Sequence, residues 1–206
     1  ISLLNWRPDK RDRGSESHPF RMRALNRTEI KKLYRTLPPL KRQIMFLLAG
    51  VEKPANVGSI FRLAEGLKAQ VLLCGRTPTP PNPEISITSM NQEDRVVWKK
   101  FDHTHEAIGY AKSEGYTVIA IELCQNAKPY QEFDYPKKVC FVLGHENSGV
   151  HAEILSICDD AVFIPYYGKN YSLNVAMSAA IVAYQVINTS PWLTSSLSIV
   201  PPPSPS

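Results

Sequence analysis

The sequence predicts an α/β domain built on a mainly parallel sheet with helices on both faces. Three observations carry that expectation. Short continuous apolar runs, of which Val139–Leu143 is the clearest, alternate with stretches of helical spacing, as strands alternate with helices in βαβ units. The run Val139–Leu143 ends in a glycine-bracketed loop before a further helix. The chain has 206 residues, 43% hydrophobic and 21% charged, which suffices for one ordinary core without metal or disulfide staples.

Taken in order, residues 1–20 are polar and irregular. Thr28 is placed to cap a helix through Tyr34, which Pro38 and Pro39 stop. Ile44–Ala49 reads as a buried strand, Val57–Leu67 as helix and Val71–Cys74 as strand. A loop rich in proline follows, with Pro78, Pro80, Pro81 and Pro83. His105–Ser113 reads as helix, Tyr116–Ile121 and Val139–Leu143 as strands, and His151–Ile157 as helix. Ala161–Ile164 is strand-like and Leu173–Ile187 a long helix, apolar nearly all round, destined for the core, a dimer interface or both. The tail from Ser195 to Ser206 is Ser/Pro-rich and expected to be disordered. The expected organisation is a basic segment over 1–43, an α/β domain over 44–190 and a tail over 191–206.

Charge is segregated. Residues 1–43 hold 12 Lys and Arg against 4 Asp and Glu, whereas residues 44–206 hold 12 against 15. A basic segment of this kind suits a polyanion, nucleic acid ahead of a membrane, or is a solvated tail. The longest apolar runs, such as Ile44–Val51, are far too short to span a bilayer, and no stretch reads as a signal peptide. Cys74, Cys124, Cys140 and Cys158 form no C-x-x-C pair, so the expectation is a reduced, cytoplasmic protein without a zinc site. His103 and His105 lack further ligands at suitable spacing, and no metal is expected.

Ligands of parallel sheets bind at the carboxyl ends of the strands, which directs attention to the loops after Ala49, Leu143 and Ile164. The first runs Asn56-Val57-Gly58-Ser59-Ile60-Phe61-Arg62-Leu63-Ala64, with Asn56 placed as a helix N-cap and Gly58 hinting at close backbone approach. Arg62 is either functional or an ordinary surface arginine. The second, Leu143-Gly144-His145-Glu146-Asn147-Ser148-Gly149, is glycine-bracketed but is neither a P-loop nor a dinucleotide fingerprint. Its Glu146 either binds a ligand, orients a neighbour or is solvated. The third passes from Ile164 and Pro165 through Gly168 to Ser172-Leu173-Asn174-Val175, with Ser172 a natural cap for the helix beyond. Tyr166, Tyr167 and Tyr171 stack on a base or pack against this loop. Trp6 contacts RNA or packs, and Trp192 anchors the C-terminal end.

Together the three motifs, Asn56-x-Gly58-x-x-x-Arg62-x-Ala64, Leu143-Gly144-x-Glu146-x-x-Gly149, and Ile164-Pro165-x-x-Gly168 with Ser172-Leu173-Asn174-Val175, resemble the SpoU or TrmH-like branch of the SPOUT methyltransferases. The resemblance covers residues 44–188. It implies a C-terminal deep trefoil knot, a homodimer, and transfer of a methyl group from S-adenosylmethionine to a ribose 2′-hydroxyl of RNA. By the same resemblance Arg62, Asn56, Glu146, Ser172 and Asn174 belong to the catalytic pocket. Leu143, Gly144, His145, Gly149, Ile164, Pro165, Gly168, Ser172 and Leu173 would cradle the cofactor. Arg76-Thr77-Pro78 and Val97-Trp98 resemble the subgroup acting on guanosine 18 of the tRNA D-loop. That subgroup reads Thr-Ala-Leu-Gly-Ala where this chain has Thr88-Ser89-Met90-Asn91-Gln92. Arg21, Arg23, Arg27, Lys31, Lys32, Arg35, Lys41 and Arg42 are the expected RNA-docking cations. The competing expectations are a ribosomal RNA methyltransferase, a non-catalytic RNA-binding module of the same fold and a small-molecule methyltransferase.

Overall fold

The computed structural model describes residues 23–169 and 172–188. The irregular start, Trp6, Arg21, Tyr171, Trp192 and the Ser/Pro tail lie outside the described residues. The chain divides into two units, with the boundary between Pro39 and Leu40.

The described part of the first unit is helix α1 (Arg27–Thr36). Its cap is Asn26, not Thr28. The Asn26 side chain accepts from the Thr28 and Glu29 amides at 3.0 Å, and Glu29 returns a bond to the Asn26 amide. This capping box starts the helix two residues ahead of the expected position. The Arg23 guanidinium forks onto the Glu29 carboxylate and pulls it down to about 2. Arg27, Lys31 and Arg35 recur every fourth residue and share one face of α1, all exposed.

The second unit carries a seven-stranded sheet. Its strands are β1 (Gln43–Ala49), β2 (Gln70–Cys74), β3 (Trp98–Phe101), β4 (Thr117–Ile121), β5 (Lys128–Pro129), β6 (Lys138–Leu143) and β7 (Asp160–Phe163). Their order is β3-β2-β1-β6-β4-β7-β5, and every pairing is parallel. The expected fold class is therefore found. In β1 the two faces alternate. Ile44, Phe46 and Leu48 pack with α2 (Pro54–Leu67), α3 (Pro83–Ser89) and α6 (Val175–Asn188). Met45 and Leu47 pack with α4 (Thr104–Ser113) and α5 (Ala152–Leu155). A strand covered on both faces has no polar side to show, which is why β1 and β6 read as unbroken apolar runs. Each fully buried Phe or Leu of these strands contributes roughly 1.5–3 kcal/mol.

One α-helix, two strands and a 3-10 turn over Glu93–Arg95 were not anticipated. α3 rises out of the proline-rich loop because Asn82 caps it and Pro83, at its first position, needs no amide partner. β3 carries exposed Lys99 and Lys100 at a sheet edge, and β5 is a two-residue edge ending in Pro129, so neither shows a strand-like pattern. The expected helix over His151–Ile157 shrinks to α5. No helix of the described residues is long and apolar enough to cross a membrane. The strand sequence reverses direction across the sheet between β1 and β6, the position where open parallel sheets hold ligands.

Candidate active site

A cavity of about 780 Å³ opens at the carboxyl ends of β4, β6 and β7, beside the start of α2 and of α6. It collects three segments far apart in sequence. Of the expected cofactor residues, Leu143, Gly144, His145, Gly149, Ile164, Pro165, Ser172 and Leu173 line it, and Gly168 does not. Of the expected catalytic residues, Asn56, Glu146, Ser172 and Asn174 line it, and Arg62 does not.

Three of these form one hydrogen-bonded relay. Asn174 is the N-cap of α6, with Oδ1 accepting from the Ala176 amide at 2.9 Å and the Met177 amide at 3.3 Å. That leaves its Nδ2 to donate to Asn56 Oδ1 at 2.9 Å. Asn56 Nδ2 must then find an acceptor, and it donates to Glu146 Oε1 at 2.8 Å. Each amide is oriented by the one before it. Two sequence expectations are corrected here. Ser172 is not the cap, because α6 begins at Val175, and Asn56 is not the cap of α2. Pro54 takes the first position of that helix, Lys53 is the N-cap, and Asn56 falls at the third position with its side chain turned to the relay.

Glu146 also accepts from the Glu52 amide at 3.1 Å and the Lys53 amide at 3.0 Å. Burial alone would raise its pKa, but the bonds from Asn56 and the backbone outweigh this and hold it below the usual carboxylate range. A depressed folded pKa stabilises the protein above the unfolded value of about 4.3, and that contribution is lost as pH falls through the folded pKa. The melting temperature of the wild type should accordingly fall more steeply below about pH 4.5 than that of Glu146→Gln. A difference centred near pH 6 would remove Glu146 as its source.

The loop between β6 and α5 is tight. The His145 and Gly149 backbones exchange both amide bonds, at 3.0 and 2.8 Å. Gly149 has φ +66°, and a Cβ on Gly144 would lie 2.1 Å from the Gly149 carbonyl carbon. His145 Nδ1 accepts from the Asn147 amide at 3.0 Å, and its Nε2 lies 3.5 Å from Glu52. Glu52 in turn pairs with Arg76 at 2.8 Å. Gly58 is explained as well: a Cβ there would collide with Thr88 Oγ1 and with the Ile85 carbonyl of α3. The chain departs from the subgroup sequence at Thr88–Gln92. Asn91 stands at φ +56° where that pattern has glycine, and asparagine tolerates this conformation. Ser89, in place of alanine, is buried and donates to the Glu93 carboxylate.

Sequence reasoning missed Glu122 and Lys53 in the cavity wall, which Tyr166 of the third loop also lines. Glu122 directly follows β4, and the rule that selected the other strand ends applies to that one too. Arg62 lies in the third turn of α2, exposed, with no hydrogen bond or ion pair among the described residues. Among the expected docking cations, Arg23 is held by Glu29, and Arg42 donates to the Val186 carbonyl at 2.8 Å. Arg27, Lys31, Lys32, Arg35 and Lys41 are exposed.

Residues 43–184 match the SpoU rRNA methylase family. The tRNA (guanosine(18)-2′-O)-methyltransferase of Thermus thermophilus is 30% identical over 167 residues, 80% of this chain and 84% of that protein. The 23S rRNA (guanosine(2553)-2′-O)-methyltransferase of Bacillus subtilis is 31% identical over 144 residues, 69% of this chain and 57% of that one. The solved structure of an AdoMet-bound rRNA methyltransferase from Sinorhizobium meliloti superposes with a TM-score of 0.65 at 25% identity. That match covers 75% of this chain, which spans 59% of the solved one. The α/β fold and its cavity at the strand ends thus fall in a class of methyltransferases. The chain belongs to the SpoU rRNA methylase family.

Proposed function

We propose that this enzyme methylates a ribose 2′-hydroxyl of tRNA, at a D-loop site like guanosine 18, working as a homodimer in the cytoplasm. The observation that carries the reading is the Glu146–Asn56–Asn174 relay, which brings all three family motifs to one wall of the cavity. The tRNA-acting relative from Thermus thermophilus matches most of both chains, which supports tRNA over ribosomal RNA.

The cavity fits the cofactor. Its volume suits a molecule of that size, apolar Ile121, Leu143 and Ile164 offer a wall for a purine, and two carboxylates favour a cation. When bound, S-adenosylmethionine would supply an activated methyl group on sulfur: the 2′-oxygen would form the C–O bond as the C–S bond breaks, S-adenosylhomocysteine would leave, and the hydroxyl proton would pass to solvent. The protein's work is positioning, which accounts for a large part of such a barrier. The relay fixes Asn174 at the cavity wall. Arg62 anchors the neighbouring phosphate and the emerging alkoxide, since a guanidinium stays protonated. Because Arg62 is absent from its own protomer's cavity, it acts in the partner's. Support for this comes from the exposed face of α2, where Arg62 shares a stripe with small residues Ala55, Ser59 and Gly66, and from exposed Met177 and Tyr184 on α6. Residues 1–43 dock RNA and residues 44–190 carry the transfer.

Labelled S-adenosylmethionine, incubated in parallel with unmodified tRNA and ribosomal RNA and followed by nuclease mapping, tests the reaction. Label on a tRNA ribose is the expected result. Label on ribosomal RNA alone would transfer the assignment to that substrate, and cofactor binding without label on either would leave a binding module. Deleting residues 1–43 should flatten the dependence of log affinity on log salt by roughly 0.7–0.9 for each phosphate that the segment neutralises. With Arg27, Lys31, Lys32, Arg35 and Lys41 exposed there, a slope change of about 3.5–4.5 is expected, and an unchanged slope would remove the docking role.

A further inference from the structure

We infer that Glu122 is the acceptor for the two ribose hydroxyls at the nucleoside end of the cofactor. The inference rests on the proposed reaction and adds a residue that none of the three motifs contains. Two carboxylates line the cavity, Glu122 and Glu146. Glu146 is occupied by Asn56, Glu52 and Lys53. Glu122 is different. Its Oε1 accepts the Leu123 amide at 3.0 Å and its Oε2 accepts the Val150 amide at 2.9 Å, leaving an open lone pair on each oxygen among the described residues.

Those two backbone donors lock the carboxylate in place. Gly149 closes over it, since a Cβ there would lie 2.2 Å from Oε2. A rigid pair of acceptor oxygens matches a cis-diol, which presents two hydroxyl donors side by side. Position selects the nucleoside end. The relay ties the loop after β6 toward β1, on the side where the transfer takes place, whereas Glu122 ties the same loop to β4, between β6 and β7. An acid beyond a parallel strand reading a ribose is the same physical solution that dinucleotide sites use.

The test is calorimetric binding of S-adenosylhomocysteine and of its 2′-deoxy and 3′-deoxy analogues, with no RNA and no turnover. Wild type should bind the deoxy compounds about tenfold to hundredfold more weakly than the parent. Glu122→Gln should lose a similar factor for the parent and almost none for the deoxy compounds. Equal weakening of all three by Glu122→Gln would mean that Glu122 acts only through the loop, and the inference fails. Equal binding of all three by wild type overturns it without any variant. Failure of wild type to bind S-adenosylhomocysteine at all would overturn both this inference and the reaction on which it rests.

Discussion

Arg62→Ala is expected to lower methyl transfer by about a thousandfold while the dissociation constant of S-adenosylhomocysteine stays within about twofold. Arg62 follows Asn56 by six residues, which displaces it about 9 Å along α2 and turns it onto a different face. It is exposed and outside the cavity, so its loss should leave folding within about 0.5 kcal/mol of wild type. A charge that does so little for its own protomer is free to act elsewhere. Lysine should not restore activity, because a point charge cannot fork onto a phosphate and an alkoxide together. Mixing Arg62→Ala with Asn174→Ala, each inactive alone, should regain measurable transfer through mixed dimers. Loss of cofactor binding in Arg62→Ala would sink the catalytic role, and failure of complementation would place Arg62 in its own protomer's reaction.

The fold was largely legible because buried parallel strands have no polar face to disguise them. Ile44 to Ala49 and Val139 to Leu143 are apolar at every position, since odd and even residues meet helices on opposite sides. Edge elements were not legible for the converse reason: β3 buries too little of Trp98-Lys99-Lys100-Phe101 to impose a pattern. Local signals also misplaced three helix starts, that of α1 by two residues. Asn56 and Ser172 each look like caps, but Pro54 sets the start of α2 and Asn174 that of α6. Asn56 is thereby released for a bond to Glu146, ninety residues away in sequence. No periodicity encodes such a pairing. What identified Asn56, Glu146 and Asn174 as partners was their joint occurrence in three motifs, and the structure supplies the reason they occur together. Glu122 escaped because one acid after one strand forms no motif.

Gly144→Ala is expected to weaken S-adenosylhomocysteine binding by more than about a hundredfold and to lower the melting temperature by several degrees. The added Cβ would lie 2.1 Å from the Gly149 carbonyl carbon, 2.3 Å from its oxygen and 2.4 Å from the Val150 nitrogen. All three are backbone atoms, so no side-chain rotation relieves the clash and the loop itself must move. Moving it breaks the paired His145–Gly149 bonds and draws the Val150 amide away from Glu122. It also shifts Glu146 against Asn56, so the relay and the cavity wall are lost together. Overpacking of this kind costs about 1–3 kcal/mol before the broken hydrogen bonds add about 1 kcal/mol each. Gly109→Ala is the control. Gly109 lies inside α4 with nothing within 4 Å of an added Cβ, so alanine there should stabilise by about 0.5–1 kcal/mol and leave binding alone. If both variants bound S-adenosylhomocysteine as tightly as wild type, the loop would be slack enough to absorb a methyl group, and the tethers to Glu146 and Glu122 could not be what shapes the site.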